Sequence, residues 1–207
     1  MNTPRLVLGL LGGIASGKST VAALIARSGP GRVVDADALA HVALDTCSKD
    51  GRLVASLGPW AVKNGKPDHR EIARRVFKDQ ALLRALERLI HPLVTNRIDE
   101  ALEEHLSGRG EPVVLVLDVP LLIEVGLDRR CDALWFVDVP DEARFARAEK
   151  RLGLSKEEVL SRETAQSPLD RKRARADLVI DNSGPPERLS DQVEAGLKGL
   201  GLTRQPA

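Results

Sequence analysis

The residues of this sequence with the clearest chemistry lie near its start, in the run Gly12-Gly13-Ile14-Ala15-Ser16-Gly17-Lys18-Ser19. The run fits G-x-x-x-x-G-K-[S/T], the pattern of a phosphate-binding loop. Its glycines let backbone N–H groups turn inward around a phosphate, and the start of the following helix adds a positive dipole end. Lys18 would place a point charge beside the outer phosphates, and the Ser19 hydroxyl is suited to bind a Mg²⁺ ion that the phosphates also hold.

The flanking segments are those that such a loop requires. Residues 6–11 (LVLGLL) form an apolar run typical of a buried strand, and residues 20–27 (TVAALIAR) have the pattern of a helix. This order of strand, loop and helix favours a nucleotide site over a chance glycine-rich turn. Ala15 should fit only with a negative φ, because a Cβ disfavours the left-handed region. The residues expected to contact the nucleotide here are Gly13, Ala15, Ser16, Gly17, Lys18, Ser19 and Thr20.

Acidic residues follow two further predicted strands. Residues 32–35 form a short strand pattern that leads into Asp35-Ala36-Asp37, and the apolar run 113–118 ends at Asp118. Ligands of open α/β sheets bind outside the carboxyl ends of the strands, which places these acids near the loop. Either Asp35 or Asp37 could hold an acceptor hydroxyl or cap a helix through residues 38–42, and the two roles are compatible. Asp118 could steady Mg²⁺ or simply end a buried strand.

The chain between about residues 50 and 109 has helical periodicity. Apolar residues recur three and four apart, with breaks at Gly58-Pro59 and at residues 64–68. The His91-Pro92 pair should interrupt this helical insertion again, because proline disfavours helix in the residue before it. His91 could be a ligand or an acid, but a single histidine without a partner at a fixed spacing is more often structural.

The last third of the chain combines strands with basic helices. Strands are predicted at residues 132–139 and 178–180, and helices at about 141–151 and 186–200. Ser155 and Glu158 match a capping box and predict another helix start. From Arg144 to Arg175 there are ten basic residues against five acidic ones. This excess fits a basic flap over phosphates, and it equally fits solvated helix faces.

Composition excludes several classes of partner. The chain carries 31 Lys and Arg against 30 Asp and Glu, a net charge of +1, so no global field points to nucleic acid or an anionic membrane. Cys47 and Cys131 form no C-x-x-C pair, and no apolar run approaches the roughly 18 to 20 residues of a membrane span. We expect a cytoplasmic protein with no nucleic-acid or membrane partner, acting as a monomer or weak homo-oligomer.

These features together favour a small kinase. The sequence has no N-K-x-D motif for guanine, and 207 residues are too few for a motor with coupling domains. A phosphate loop, an acid pair, a helical insertion and an arginine-rich segment suit transfer to a small molecule or nucleotide. The alternatives are a kinase for another acceptor, such as a nucleoside monophosphate or a shikimate-like compound, and a regulatory module with slow hydrolysis.

The chain closely resembles the dephospho-coenzyme A kinase family from Gly9 to about Gly184. Three residues depart from the family pattern. Leu11 stands where threonine is usual, and Ala15 stands where glycine is usual. Leu152 stands where aspartate commonly follows an arginine of the lid, which Arg151 matches here. The motifs that carry the resemblance are GGIASGKSTV (12–21), DADALA (35–40), Arg70, Val76-Phe77, LExxIHP (86–92), VPLLIE (119–124), Arg151 with Gly153-Leu154-Ser155, QxP (166–168), KRAxAD (172–177) and VIDNxG (179–184).

The resemblance implies an α/β fold, a P-loop NTPase three-layer core with a parallel sheet like that of adenylate kinase. The core would comprise residues 1–48, 111–140 and 176–207, with a helical acceptor domain at 49–110 and a lid region at 141–175. The implied reaction is ATP-dependent phosphorylation of the ribose 3′-hydroxyl of dephospho-CoA, the last step of coenzyme A synthesis. ATP and Mg²⁺ are the implied cofactors.

The resemblance also implies roles for individual residues. Asp37 matches the proposed base, Lys18 and Arg151 would stabilise the transferring phosphoryl group, and Asn182 would lie beside the adenine. Ser19 and Asp118 are the expected metal ligands. The residues expected on the acceptor side are Asp35, Arg70, His91 and Leu121.

Overall fold

The computed structural model describes residues 5–28, 31–108 and 113–202 as a mixed α/β protein. Its strands are β1 (Leu6–Leu11), β2 (Gly31–Asp35), β3 (Val62–Lys63), β4 (Lys66–Pro67), β5 (Val114–Asp118), β6 (Ala133–Asp138) and β7 (Leu178–Asp181). Its helices are α1 (Lys18–Arg27), α2 (Ala36–Lys49), α3 (Arg52–Leu57), α4 (His69–Val76), α5 (Gln80–Leu106), α6 (Asp141–Leu152), α7 (Lys156–Glu163), α8 (Leu169–Ala174) and α9 (Pro186–Gly199). No helix in these ranges is both long enough and apolar enough to cross a bilayer.

The chain divides into two compact units. The first unit comprises Met1–Asp35 and Glu104–Ala207, and the second comprises Ala36–Glu103. The first unit contains a parallel sheet with the strand order β2-β5-β1-β6-β7. Leucine- and valine-rich strands such as β5, which is buried along its whole length, are typical of parallel sheets. The expected α/β fold with a parallel sheet is confirmed.

The register of the sheet brings the ends of several strands to one edge. Asp35 at the end of β2 pairs directly with Asp118 at the end of β5. The neighbouring strand β1 runs parallel to β5 and leads into the glycine-rich loop. Two acids and the loop therefore share the carboxyl edge of the sheet, which is where open α/β sheets bind ligands.

The core of the first unit is mainly aliphatic. Side chains of α1 and α9 pack with those of β1, β5 and β6 around the buried Trp135. The predicted strands at 6–11, 113–118, 132–139 and 178–180 match the observed ones to within one residue at each end. The capping box is also confirmed, because the Ser155 side chain accepts from the Glu158 N–H and the Glu158 side chain accepts from the Ser155 N–H.

The second unit is helical but departs from the sequence-based expectation in two places. The segment around Asn64-Gly65 forms the short antiparallel hairpin β3-β4, which helical periodicity does not predict. The prediction that His91-Pro92 interrupts the helix is wrong, because α5 runs from Gln80 to Leu106 and continues through Pro92. Proline removes one helix hydrogen bond, a loss that packing can offset. Ile90 on one side of Pro92, and Leu93 and Val94 on the other, belong to one hydrophobic cluster.

Candidate active site

The glycine-rich loop joins β1 to α1 with a backbone that only glycine adopts easily at position 17. Gly17 is the N-cap of α1 and has a φ of 95° in the left-handed region. A Cβ added there would lie 2.2 Å from Asn182 Nδ2, closer than any real contact. The Asn182 amide instead donates to the Ser16 carbonyl oxygen at 2.8 Å. The second half of the loop is thus closed by the residue that follows β7.

The side chains that begin α1 face groups appropriate to phosphate and metal binding. The Lys18 ammonium donates to the carbonyl oxygens of Gly12 at 3.3 Å and Gly13 at 3.2 Å, which holds its charge over the loop. The Ser19 hydroxyl donates to Asp118 Oδ2 at 2.7 Å. A hydroxyl and a carboxylate side by side are oxygen ligands that Mg²⁺ prefers, so the residues present fit this ion.

Ala15 overturns one sequence-based expectation. We expected a negative φ at this position, but its φ is 60°, in the left-handed region. Alanine there costs roughly 1–2 kcal/mol, which surrounding contacts can offset. The loop supplies such contacts on either side of Ala15, because the Ser16 N–H donates to the Gly13 carbonyl at 3.2 Å and the Ile14 N–H is bonded to Glu163.

The first half of the loop is held by two residues that sequence analysis did not identify, Arg144 of α6 and Glu163 of α7. Glu163 Oε1 accepts from the Ile14 N–H at 2.9 Å, and Arg144 Nη1 donates to the Ile14 carbonyl oxygen at 3.2 Å. The two side chains also pair with each other, with Arg144 Nη1 at 2.6 Å from Glu163 Oε1. The Arg144 side chain is 3% exposed and that of Glu163 is 14% exposed. Gly13 is needed beside them, because a Cβ on it would lie 2.7 Å from Arg144 Nη1.

The turn after β7 connects the loop to α6. Arg147 Nη2 of α6 donates to the Asn182 carbonyl oxygen at 2.9 Å, and the Asn182 N–H donates to the Asp138 carbonyl oxygen at 2.9 Å. The side chain of Ser183 and the Ser183 N–H lower the pKa of the adjacent Asp181 carboxyl. Asn182 therefore lies at the meeting point of the loop, β6 and α6.

A second buried ionic group lies between the segment after β5 and α8. The Lys172 side chain is 2% exposed, donates to Gln166 Oε1 at 2.7 Å and lies 3.9 Å from Glu124 Oε1. Burial lowers the pKa of the Lys172 ammonium, and the charge of Glu124 opposes this effect. Burial alone would raise the pKa of Glu124, but the Ser167 N–H and Lys172 hold it below its ordinary value.

The predicted site residues fall into two groups in the structure. Asp35, Leu121, Arg151 and Asn182 join the loop residues and Asp118 in the first unit. Leu121 lies in the turn region after β5 and is 38% exposed, and Arg151 is exposed near the end of α6. Asp37 in the first turn of α2, Arg70 in α4 and His91 in α5 belong to the second unit, where all three are exposed.

Little in the sequence distinguishes the missed residues Arg144 and Glu163 from their neighbours, and Lys172 stands in the KRAxAD motif without a role assigned to it. The excess of basic residues between 144 and 175 marked the right segment. However, among its ten basic residues only Arg144 and Lys172 are buried. In a helix with many charged residues, the spacing of the charges does not show which of them is buried. The burial of Arg144 and Lys172 is therefore visible only in the tertiary structure.

Comparisons with known proteins show which family the chain resembles. The protein-family model described as dephospho-CoA kinase matches residues 6–187. The dephospho-CoA kinase of Symbiobacterium thermophilum is 44% identical over 191 residues, which are 91% of this chain and 79% of the relative. That of Deinococcus radiodurans is 43% identical over 196 residues, 95% of this chain and 93% of the relative.

Solved structures of similar proteins share the fold of this chain. The crystal structure of TT1252 from Thermus thermophilus is 42% identical in sequence and superposes with a TM-score of 0.75, covering 95% of this chain and 98% of that one. The dephospho-CoA kinase from Campylobacter jejuni is 22% identical with a TM-score of 0.64, covering 95% of this chain and 97% of that one. At this lower identity the second likeness shows the fold alone.

Proposed function

The chain belongs to the dephospho-CoA kinase family, and from that premise we propose which of its residues carry out the reaction. The family catalyses the final step of coenzyme A biosynthesis, in which ATP phosphorylates the 3′-hydroxyl of dephospho-CoA. Kinases for another acceptor and regulatory modules, the alternatives that the sequence left open, are not favoured. The observation that carries the residue assignment is the 2.7 Å hydrogen bond from Ser19 to Asp118.

This hydrogen bond supports a metal and phosphate site at the carboxyl edge of the sheet. When bound, Mg²⁺ would neutralise charge on the β- and γ-phosphates, and Ser19 and Asp118 would hold it. The loop N–H groups would bind the phosphates, and Lys18 would add a positive charge beside the γ-phosphate. Arg151 would stabilise charge on the transferring group, and Asn182 would lie beside the adenine, as the family resemblance implies.

The acceptor side of the proposal depends on the acid pair that follows β2. In the reaction the acceptor oxygen bonds to the γ-phosphorus, the bond to the β,γ-bridging oxygen breaks, and ADP leaves. The hydroxyl proton must be accepted, and we assign that role to Asp37. Asp35 supports this assignment, because it ends β2 directly opposite Asp118 and Asp37 follows two residues later. Arg70, His91 and Leu121 are the proposed acceptor contacts, and residues 141–175 the proposed lid.

A matched pair of variants tests the base. Asp37→Asn should lower kcat by about 10²- to 10⁴-fold, the usual contribution of general acid–base catalysis, with ATP affinity largely unchanged. Asp35→Asn, the control at the neighbouring acid, should have a smaller effect on kcat. ADP release coupled to dephospho-CoA measures turnover, and calorimetry measures ATP affinity. Near-normal turnover of Asp37→Asn would reject Asp37 as the base, and a larger loss in Asp35→Asn would assign the role to Asp35.

The expectations of a cytoplasmic location, of no nucleic-acid partner and of a monomer or weak homo-oligomer stay predictions. Light scattering over a range of protein concentrations measures the oligomeric state.

A further inference from the structure

The Arg144 and Glu163 pair is more than a link between two helices, because both of its members bind the same residue of the loop. Glu163 accepts from the Ile14 N–H and Arg144 donates to the Ile14 carbonyl oxygen. Ile14 thus has its two backbone polar groups bonded to opposite charges from α7 and α6. Hydrogen bonds to charged groups are stronger than neutral ones, so this arrangement fixes the Ile14 peptide groups firmly.

The carboxylate of Glu163 lies in an unusual place for a negative charge. A loop that binds the phosphates of ATP receives several negative charges, and Glu163 Oε1 lies 2.9 Å from one of its amide nitrogens. Little water is available to screen that charge, since the Glu163 side chain is only 14% exposed. Without a compensating cation, the carboxylate would repel the nucleotide.

Arg144 provides that cation. Its guanidinium contacts Glu163 with two nitrogens, Nη1 at 2.6 Å from Oε1 and Nη2 at 3.3 Å from Oε2. It also donates from Nη2 to Asp141 Oδ1 at 2.7 Å, but Asp141 is 68% exposed and does not contact the loop in the hydrogen bonds described. The loop therefore contacts a buried pair whose charges balance. Asp141 binds the same arginine, but its carboxylate is exposed to water, so it serves as a comparison for Glu163.

We propose that Arg144 and Glu163 are positioning residues for phosphoryl transfer, which hold the phosphate-binding loop at Ile14, and that Arg144 cancels the charge that Glu163 would otherwise present to ATP. This inference rests on the proposed binding of ATP phosphates by the loop. It predicts an asymmetry. Removing the arginine alone exposes the nucleotide to a carboxylate that has lost its paired guanidinium, whereas removing both charges does not.

A double-mutant cycle measures this asymmetry. Arg144→Met should raise the KM and the Kd for ATP by about 10- to 100-fold, as expected for breaking one side of a buried charge pair. Glu163→Gln keeps an oxygen acceptor for the Ile14 N–H and removes the charge, so ATP affinity should change much less than in Arg144→Met. The double variant Arg144→Met/Glu163→Gln should recover most of the lost affinity. Asp141→Asn is the matched control and should change ATP affinity less than about threefold, as for an exposed ion pair.

The recovery in the double variant separates electrostatics from simple structural damage. Thermal unfolding of each variant establishes folding, and if Arg144→Met does not fold, Arg144→Gln takes its place, because it keeps an N–H donor without the charge. The proposal is overturned if the double variant binds ATP as weakly as the single arginine variant, or if Asp141→Asn weakens binding equally. Lys18→Met tests the underlying assignment separately: unchanged ATP affinity in that variant would reject the loop as the phosphate site.

Discussion

The two halves of the phosphate-binding loop are held by different kinds of structure. The first half is bonded at Ile14 by the buried pair Arg144 and Glu163, which come from helices α6 and α7. The second half is bonded by residues at the ends of strands, Asn182 after β7 and Asp118 at the end of β5. One half thus depends on two charges that must balance, and the other depends on single groups positioned by the sheet.

This difference determines how each half should respond to mutation. A buried ion pair loses most when one partner is removed and the other charge remains. A single hydrogen bond to a strand end contributes only about 0.5–1.5 kcal/mol, so its removal should have a small effect unless the backbone or a metal ligand is changed as well. Variants of the second half, and of the strained Ala15 between the halves, test this difference.

The largest effect is expected from Gly17→Ala. The new Cβ would lie 2.2 Å from Asn182 Nδ2, at a φ of 95° that alanine rarely adopts. Displacing the loop by even about 1 Å can cost on the order of 10²-fold in rate, so we expect kcat/KM for ATP to fall by about 100-fold or more. Steady-state kinetics with dephospho-CoA measure the change.

The companion variant Gly17→Ala/Asn182→Ala separates the steric contact from the backbone conformation. Truncating Asn182 removes the clash but not the positive φ, so recovery should be partial. Full recovery would show that φ at residue 17 is unimportant, and wild-type activity of Gly17→Ala itself would mean that the loop does not bind phosphate in the described conformation.

Asp118→Asn should have the next largest effect. Asparagine can still accept from the Ser19 hydroxyl, so the local fold should persist while a negative ligand for the metal is lost. Such changes near a metal typically cost about 10- to 100-fold in metal affinity or activity. A titration of activity against Mg²⁺ should therefore shift to higher concentration, with partial recovery at saturation. An unshifted titration curve would remove Asp118 from the metal site.

Asn182→Ala should have a moderate effect. It removes the 2.8 Å hydrogen bond to the Ser16 carbonyl, worth about 1 kcal/mol, so we expect about a fivefold rise in KM for ATP. Ser183→Ala is the matched control, because Ser183 is exposed and contacts Asp181, through a backbone N–H that alanine keeps and a hydroxyl that it lacks. If both variants bind ATP equally well, the second half of the loop does not need this strand-end contact.

The smallest effect is expected from Ala15→Gly. Glycine removes the left-handed strain of roughly 1–2 kcal/mol but gains about 0.4–1 kcal/mol of unfolded-state entropy relative to alanine. The free energy of unfolding should therefore rise by between about 0 and 1.6 kcal/mol, with kcat nearly unchanged. Urea denaturation measures the difference. A clear loss of stability would mean that the φ of 60° is not strained at this position.

Local patterns predicted most of the sheet and the loop correctly. Apolar runs identified β1, β5, β6 and β7, and the strand, loop and helix order located residues 12–19. The sequence did not predict the continuous helix α5 or the hairpin β3-β4. Pro92 disfavours a continuous helix locally, and the turn at Gly65 interrupts the helical pattern. Whether a helix continues through such a residue depends on packing against residues distant in sequence.

The candidate site was predicted unevenly for a related reason. Residues of the loop and at strand ends were found, because parallel strands bring their carboxyl ends to one edge whenever they pair. Arg144 and Glu163 were not found and Lys172 of the KRAxAD motif received no role, since each lies on a helix among many other charged residues. Their burial depends on how the helices pack, which the spacing of charges does not reveal.

By itself, then, the sequence determined the phosphate-binding motif, the order of strands and helices along the chain and the family to which the chain belongs, because these follow from local residue types and spacing. Only the tertiary structure decided that a buried arginine and a largely buried glutamate bind the carbonyl and the N–H of one loop residue, Ile14, and that Ala15 adopts a left-handed conformation. The contacts of Arg144 and Glu163 with Ile14 join residues more than a hundred positions apart, and no local pattern encodes such contacts.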